Sequence, residues 1–199
     1  MEFIKDSHHV MQALIAGCFT WMMTAAGSAI VFLSKTFSRK ILDASLGFAG
    51  GVMLAASFWS LLVPAIELSG ARKNVFALVP AIGFALGVIF IRLFDRLLPH
   101  LHIYMPVQAA EGIKTSWKKS TLIVMAMAIH NIPEGLVIGV AFGAIAQGVG
   151  SASFAAAIAL VIGIGIQDIP EGLAVSVPLH SKGMSRMSSF WYGQLSGAA

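Results

Sequence analysis

Five stretches of this chain, at about residues 10–33, 44–66, 75–98, 120–146 and 152–179, are long and apolar enough to cross a bilayer, and nothing else constrains the fold as strongly. A hydrocarbon core of roughly 30 Å takes about 20 residues of helix. No water reaches that depth, so each segment must pair its own backbone N–H and C=O groups, and each is predicted to be an α-helix. A sixth apolar run begins near Met187 and reaches Ala199, about 13 residues, too short to span. Composition agrees, with 57% hydrophobic and 11% charged residues and a mean hydropathy of +0.84. The expected fold is an all-α membrane protein, a polytopic helical bundle forming one transmembrane domain over 1–199 and truncated within its sixth helix.

Several function classes drop out. The net charge of +4 comes from basic residues placed between apolar spans rather than along one surface, which argues for a bilayer and against a nucleic-acid partner. A single cysteine, Cys18, allows no intrachain disulfide and makes thiolate metal chemistry unpromising. The first apolar run is too long for a cleavable signal peptide. Of 13 Lys and Arg residues, all but Lys5, Arg72 and Lys73 fall at the ends of spans one, three and five or in the loops that follow them. The positive-inside rule therefore predicts an external N-terminus in the plasma (inner) membrane, with the longest loop, about 99–118, in the cytoplasm.

Chemistry concentrates in a doubled motif. His130-Asn131-Ile132-Pro133-Glu134-Gly135 recurs as Gln167-Asp168-Ile169-Pro170-Glu171-Gly172, each copy inside a span. A carboxylate near the bilayer centre costs roughly 2.5–3.5 kcal/mol, so Glu134, Asp168 and Glu171 demand about 9 kcal/mol of compensation from a cation or from protons. Residues three and four apart share a helix face, so His130 stacks with Glu134 beside Asn131, and Gln167 stacks with Glu171 beside Asp168. Both copies are centred on the Gly150/Ser151 junction. An antiparallel hairpin turning there brings His130 level with Glu171 and Glu134 level with Gln167, so six polar side chains converge at one depth. Pro133 and Pro170 free the carbonyls of Ile129 and Ile166, an irregularity tolerated only beside protein or a wet cavity. Gly135 and Gly172 leave room for close helix approach. Imidazole, carboxylate and amide oxygen together suit zinc foremost, and iron(II), manganese(II) or cadmium(II), whereas copper(I) is disfavoured. The bland alternatives are two kinked helices with buried hydrogen bonds, or a proton relay, which would not need the imidazole and two amides as well.

These two Pro-Glu-Gly motifs, with the run Ser57-Phe58-Trp59-Ser60-Leu61-Leu62-Val63-Pro64-Ala65-Ile66-Glu67 on the second span, resemble the ZIP (Zrt/Irt-like) family of divalent metal transporters, most of all its GufA-type branch. The resemblance implies eight spans in a 3+2+3 arrangement and a central, often binuclear, metal site. It implies one metal held by His130, Glu134, Gln167 and Glu171, and another by Asn131, Glu134, Asp168 and Glu171, with both glutamates bridging. It also implies a further carboxylate from the sixth span, beyond Ser196-Gly197-Ala198-Ala199. The function this implies is transmembrane carriage of a divalent transition metal as substrate, inward to the cytoplasm, with no enzymatic activity; a homodimer is left open. An intramembrane metal-dependent hydrolase is the alternative from another class, although the spans hold no H-E-x-x-H.

Other residues carry weaker signals. His100 and His102, with Glu111 further on, are either a solvated loop pair or a transient metal-receiving site. His8 and His9 could feed metal from outside, and Glu67 could mark the pathway mouth. Met125 and Met127 read as packing residues rather than thioether ligands.

Overall fold

The computed structural model describes residues 8–33, 38–69, 78–102, 105–149 and 152–198. The proposed turn centre at Gly150/Ser151, and Lys5, Arg72, Lys73 and Ala199, lie outside these. Among the described residues the fold is helical, and one isolated antiparallel bridge, His100 with Glu111, is the sole extended pairing. Five helices are long and apolar enough to cross a membrane: α1 (His9–Phe32, ending in a 3-10 turn), α2 (Arg39–Leu68), α3 (Leu78–Leu97), α4 (Lys119–Ala146) and α5 (Phe154–Ser181). A shorter α6 follows over Arg186–Leu195. The protein is an all-α polytopic bundle.

Local chemistry sets the helix ends. The His8 ring accepts from the Val10 amide at 3.3 Å, and the Ser153 hydroxyl accepts from Ala156 at 3.2 Å, each supplying an orphan donor of a first turn. Within α2, residues Ala56–Leu62 are π-helical, and the Val63 amide reaches back five residues to the Phe58 carbonyl. Pro64 explains this, because its ring excludes the Ser60 carbonyl four residues back and a wider turn relieves the clash.

The centre of the bundle is α5, buried along most of its length and flanked by α1, α2, α4 and α6. Lipid tails are as apolar as leucine, so helix association here draws on close van der Waals packing and interhelical hydrogen bonds. The α1–α5 seam shows how. A Cβ on Gly27 would collide with the Ile169 backbone carbonyl, and one on Gly172 with the Thr24 carbonyl. Ser28 Oγ donates to the Gly172 carbonyl at 3.2 Å, and Trp21 Nε1 donates to the Gln194 carbonyl at 3.0 Å, tying α6 to the same seam.

Two apolar layers bracket the doubled motif. Toward one end Ala16, Ile138, Phe142, Leu160 and Ile164 pack from α1, α4 and α5; toward the other, Ile123, Val175 and Leu179 do so from α4 and α5. Asn131, Gln167, Asp168 and Glu171 are buried between these layers. Sequence places the polar residues mid-helix, between these two apolar layers.

Candidate metal centre

The antiparallel register predicted from the motif spacing is present. Gln167 Nε2 donates to Glu134 Oε1, and His130 Nε2 lies 3.8 Å from Glu171 Oε1. His130, Glu134 and Glu171 each present a ligand atom, all within 4.8 Å of one another. Tetrahedral zinc, with ligands at about 2.0–2.2 Å, sets neighbouring ligand atoms about 3.3–3.6 Å apart, so these side chains need to draw closer to hold one.

Hydrogen bonding exposes a deficit of donors. Asn131 Oδ1, Gln167 Oε1, Asp168 Oδ1 and both oxygens of Glu171 are buried without a hydrogen-bond partner. All five are acceptors. A buried acceptor left unpaired costs about 1–3 kcal/mol, and a cluster of them at one depth has the chemistry of a cation site. The unmet atoms are oxygens on carboxylates and amides, the hard to borderline ligands that divalent zinc and its neighbours accept.

Two cavities meet at this layer. The larger, about 830 Å³, is lined by His130, Glu134, Gln167 and Glu171 and runs past Met127 and Ile123 to Asp95, His100 and His102 at the end of the bundle rich in Lys and Arg. Helix α2 walls it opposite α4, and Ser57 of the π-helical stretch faces in. The smaller, about 120 Å³, is lined by Thr20, Asn131, Glu134, Gly135 and Asp168. Glu134 lines both. Glu171 lines the larger one. The two motif glycines also differ: Gly172 permits the α1 contact, whereas Gly135 is exposed on the small cavity.

Spacing on α1 held a signal that the motif reading passed over. Thr20, Thr24 and Ser28 recur every fourth residue and are all buried. Asp168 faces Thr24 and Glu134, and Asn131 Nδ2 donates to the Ser196 carbonyl at 2.9 Å. Helix α1 and the end of α6 thus complete the smaller site's surroundings.

The loop histidines divide. His100 is only 2% exposed, so its reading as a solvated loop residue is wrong. Its backbone pairs with Glu111 in both directions, at 3.1 and 2.9 Å, and Gly112 next door, at φ +80°, sits where a Cβ would strike the Leu98 carbonyl. His100 Nδ1 lies 2.9 Å from the Leu98 carbonyl, which assigns the ring proton there, and Nε2 lies 3.1 Å from Asp95 Oδ1 without hydrogen-bond alignment. His102 is exposed, 3.7 Å from Glu111, and His100, His102 and Glu111 form a second group able to hold a metal ion. At the opposite end His8 serves as a helix cap and His9 Nδ1 pairs with Gln12 at 3.0 Å; exposed Glu67 lines neither cavity.

No protein-family model matches the chain. Curated proteins do. Zinc transporter ZIP11 of Homo sapiens is 40% identical, the match covering 98% of this chain and 79% of that protein. Zinc transporter ZupT of Streptococcus mutans is 34% identical over 97% of this chain and 72% of its own. Zinc transporter GufA of Myxococcus xanthus is 34% identical over 66% of this chain and 52% of its own. Identity of this extent, together with five membrane-length helices and a doubled Pro-Glu-Gly motif packed face to face, identifies the chain as a GufA-like member of the ZIP family of metal transporters.

Proposed function

We propose that the protein carries zinc foremost, and iron(II), manganese(II) or cadmium(II) as alternative substrates, across the plasma membrane into the cytoplasm through a binuclear mid-membrane site. The observation that carries this reading is the set of five unpartnered acceptor oxygens on the doubled motif, facing a histidine and a third carboxylate. One ion is held by His130, Glu134, Gln167 and Glu171 in the larger cavity, and a second by Asn131, Glu134 and Asp168 in the smaller. Glu134 is the shared ligand, since it alone of the six lines both cavities. Carboxylates supply charge, the imidazole supplies a borderline ligand that favours zinc over magnesium or calcium, and the amides supply oxygens without adding charge. The wide cavity gives the ion a route toward Asp95, His100 and His102, where an imidazole-carboxylate group receives it on the basic side. Placement of the motifs in the middle of membrane-length helices is where alternating access puts a carrier site.

Zinc uptake into sealed proteoliposomes, read with an entrapped zinc-sensitive dye and challenged with competing cations, tests this. Uptake that vanishes in Glu134→Ala and is competed most strongly by cadmium is expected; unchanged uptake in that variant rejects the site. Direction is read from orientation. With Cys18→Ser as background, Gln108→Cys in the 99–118 loop should react with a membrane-impermeant maleimide only after cells are permeabilised, and labelling of intact cells reverses the topology. Light scattering of the same preparation reads whether it is a homodimer.

A further inference from the structure

Away from the metal centre, the basic end of the bundle brings two cations together. Lys119 opens α4 and Lys182 follows the last residue of α5, and the antiparallel register that levels His130 with Glu171 brings these two residues level as well. Lys119 Nζ also donates to the Met105 carbonyl at 2.6 Å, which holds the loop between α3 and α4 beneath the pair. An ammonium has donors and no acceptor, so two of them side by side repel and neither can bond the other. Burial first, and then the adjacent Lys119 ammonium, hold the Lys182 pKa below the ordinary lysine range.

The topology rule accounts for basic residues at this end but not for their pairing, because lysines spread around the rim satisfy it equally well. Exposed Lys118 adjoins the pair, and Trp117 and Ile113 just before it are exposed as well. Tryptophan beside lysine at the end of a membrane-spanning helix belongs at headgroup depth, ring toward the acyl chains and ammonium toward phosphate.

We propose that Lys119 and Lys182, with Lys118 and Trp117 beside them, bind the phosphate of an anionic phospholipid headgroup at the basic face of the membrane. One phosphate offers acceptor oxygens to both ammonium groups and cancels the repulsion that their proximity creates. Free phosphate shares that chemistry, but the cluster lies at the ends of two membrane-spanning helices and carries an exposed indole, which an acylated ligand covers and a free ion does not. Bound there, the lipid staples the start of α4 to the end of α5, the two helices that carry the doubled motif.

The test uses the whole protein in nanodiscs of phosphatidylcholine, with and without phosphatidylglycerol, and native mass spectrometry to count retained phosphatidylglycerol. Lys119→Gln with Lys182→Gln should lower retention by more than the roughly fivefold per residue that any one basic group contributes at an anionic surface. Lys119→Arg with Lys182→Arg should restore it. Lys40→Gln with Arg96→Gln removes the same charge from the same end and should cost no more than that general effect. Unaltered melting in pure phosphatidylcholine shows that the variants are folded. Equal loss in the Lys40/Arg96 control, displacement of the lipid by inorganic phosphate, or no preference for phosphatidylglycerol in the wild type would each overturn the proposal.

Discussion

The α1–α5–α6 body and the α2–α3 wall are made of equally apolar helices, yet they are packed in opposite ways. In the most apolar window of α5, 67% of residues are buried, against 6% in each of α2 and α3. Glycine and serine account for the first value: Gly27, Gly172, Gly193 and Gly197 each sit where a Cβ would meet another helix, whereas Gly47, Gly50, Gly51, Gly83 and Gly87 on α2 and α3 face open space. Glycine content alone therefore does not make a packed helix; the glycines must align with backbone on a neighbour. The difference also divides labour at the metal centre. The close-packed body carries Gln167, Asp168 and Glu171, while α2 and α3 line the large cavity and α2 meets α5 through Leu42 against Leu173 and Val177.

The most damaging change to that arrangement is loss of Glu134, the proposed shared ligand. Glu134→Ala removes a carboxylate from both cavities at once and should weaken zinc or cadmium binding by more than about 100-fold in isothermal titration, beyond the 10–100-fold range that loss of a supporting group produces. Glu171→Ala should approach the same loss, because both buried Glu171 oxygens lack a hydrogen-bond partner. His130→Ala, on the exposed side of the cluster, should cost about tenfold and leave binding measurable. Wild-type affinity in Glu134→Ala would dissolve the link between the two cavities and the two metals.

The packing contrast is broken or kept by matched glycine substitutions. Gly27→Ala drives a methyl into the Ile169 backbone, which cannot yield like a side chain, and should destabilise the protein by about 3 kcal/mol or more. Gly83→Ala meets nothing within 4 Å and exchanges glycine for a better helix former, so it should be neutral or stabilising by up to about 1 kcal/mol. Thermal melts in one detergent compare them directly. Similar melting temperatures would mean that the α1–α5 seam is no tighter than the α2–α3 wall.

Much of this was readable before any coordinates, and what was missed has physical causes. Long apolar runs compel helices, and the repeat of Pro-Glu-Gly about a common centre fixes register, so the meeting of His130 with Glu171 and of Glu134 with Gln167 follows from spacing alone. Helix faces do not fix side-chain rotamers, so spacing alone does not say which cavity each carboxylate lines. His100 was read as a possible solvated residue because its burial depends on a backbone bridge to Glu111, eleven positions away, which no periodicity encodes. The π-helical stretch at Ala56–Leu62 had a local cue in Pro64, and the Thr20-Thr24-Ser28 stripe had one in its spacing of four.

The finest division concerns the two cavities themselves. Asn131 and Asp168 line the smaller and are absent from the larger, whereas His130 and Gln167 line the larger and are absent from the smaller. Asn131→Ala and Asp168→Ala should therefore remove one metal and spare the other, with affinity at the remaining site changed by no more than about tenfold through the altered setting of Glu134. Anomalous scattering collected at the zinc edge counts the ions, and titration of the same variants reads the surviving affinity. Asp168→Ala should act more strongly than Asn131→Ala, since it removes a charge rather than a dipole, and Asn131 also anchors the Ser196 carbonyl, so its loss loosens the end of α6 as well. If both metals disappear together in Asp168→Ala while the fold is intact, the cavities are one site, and Glu134 is a ligand within it rather than the bridge between two.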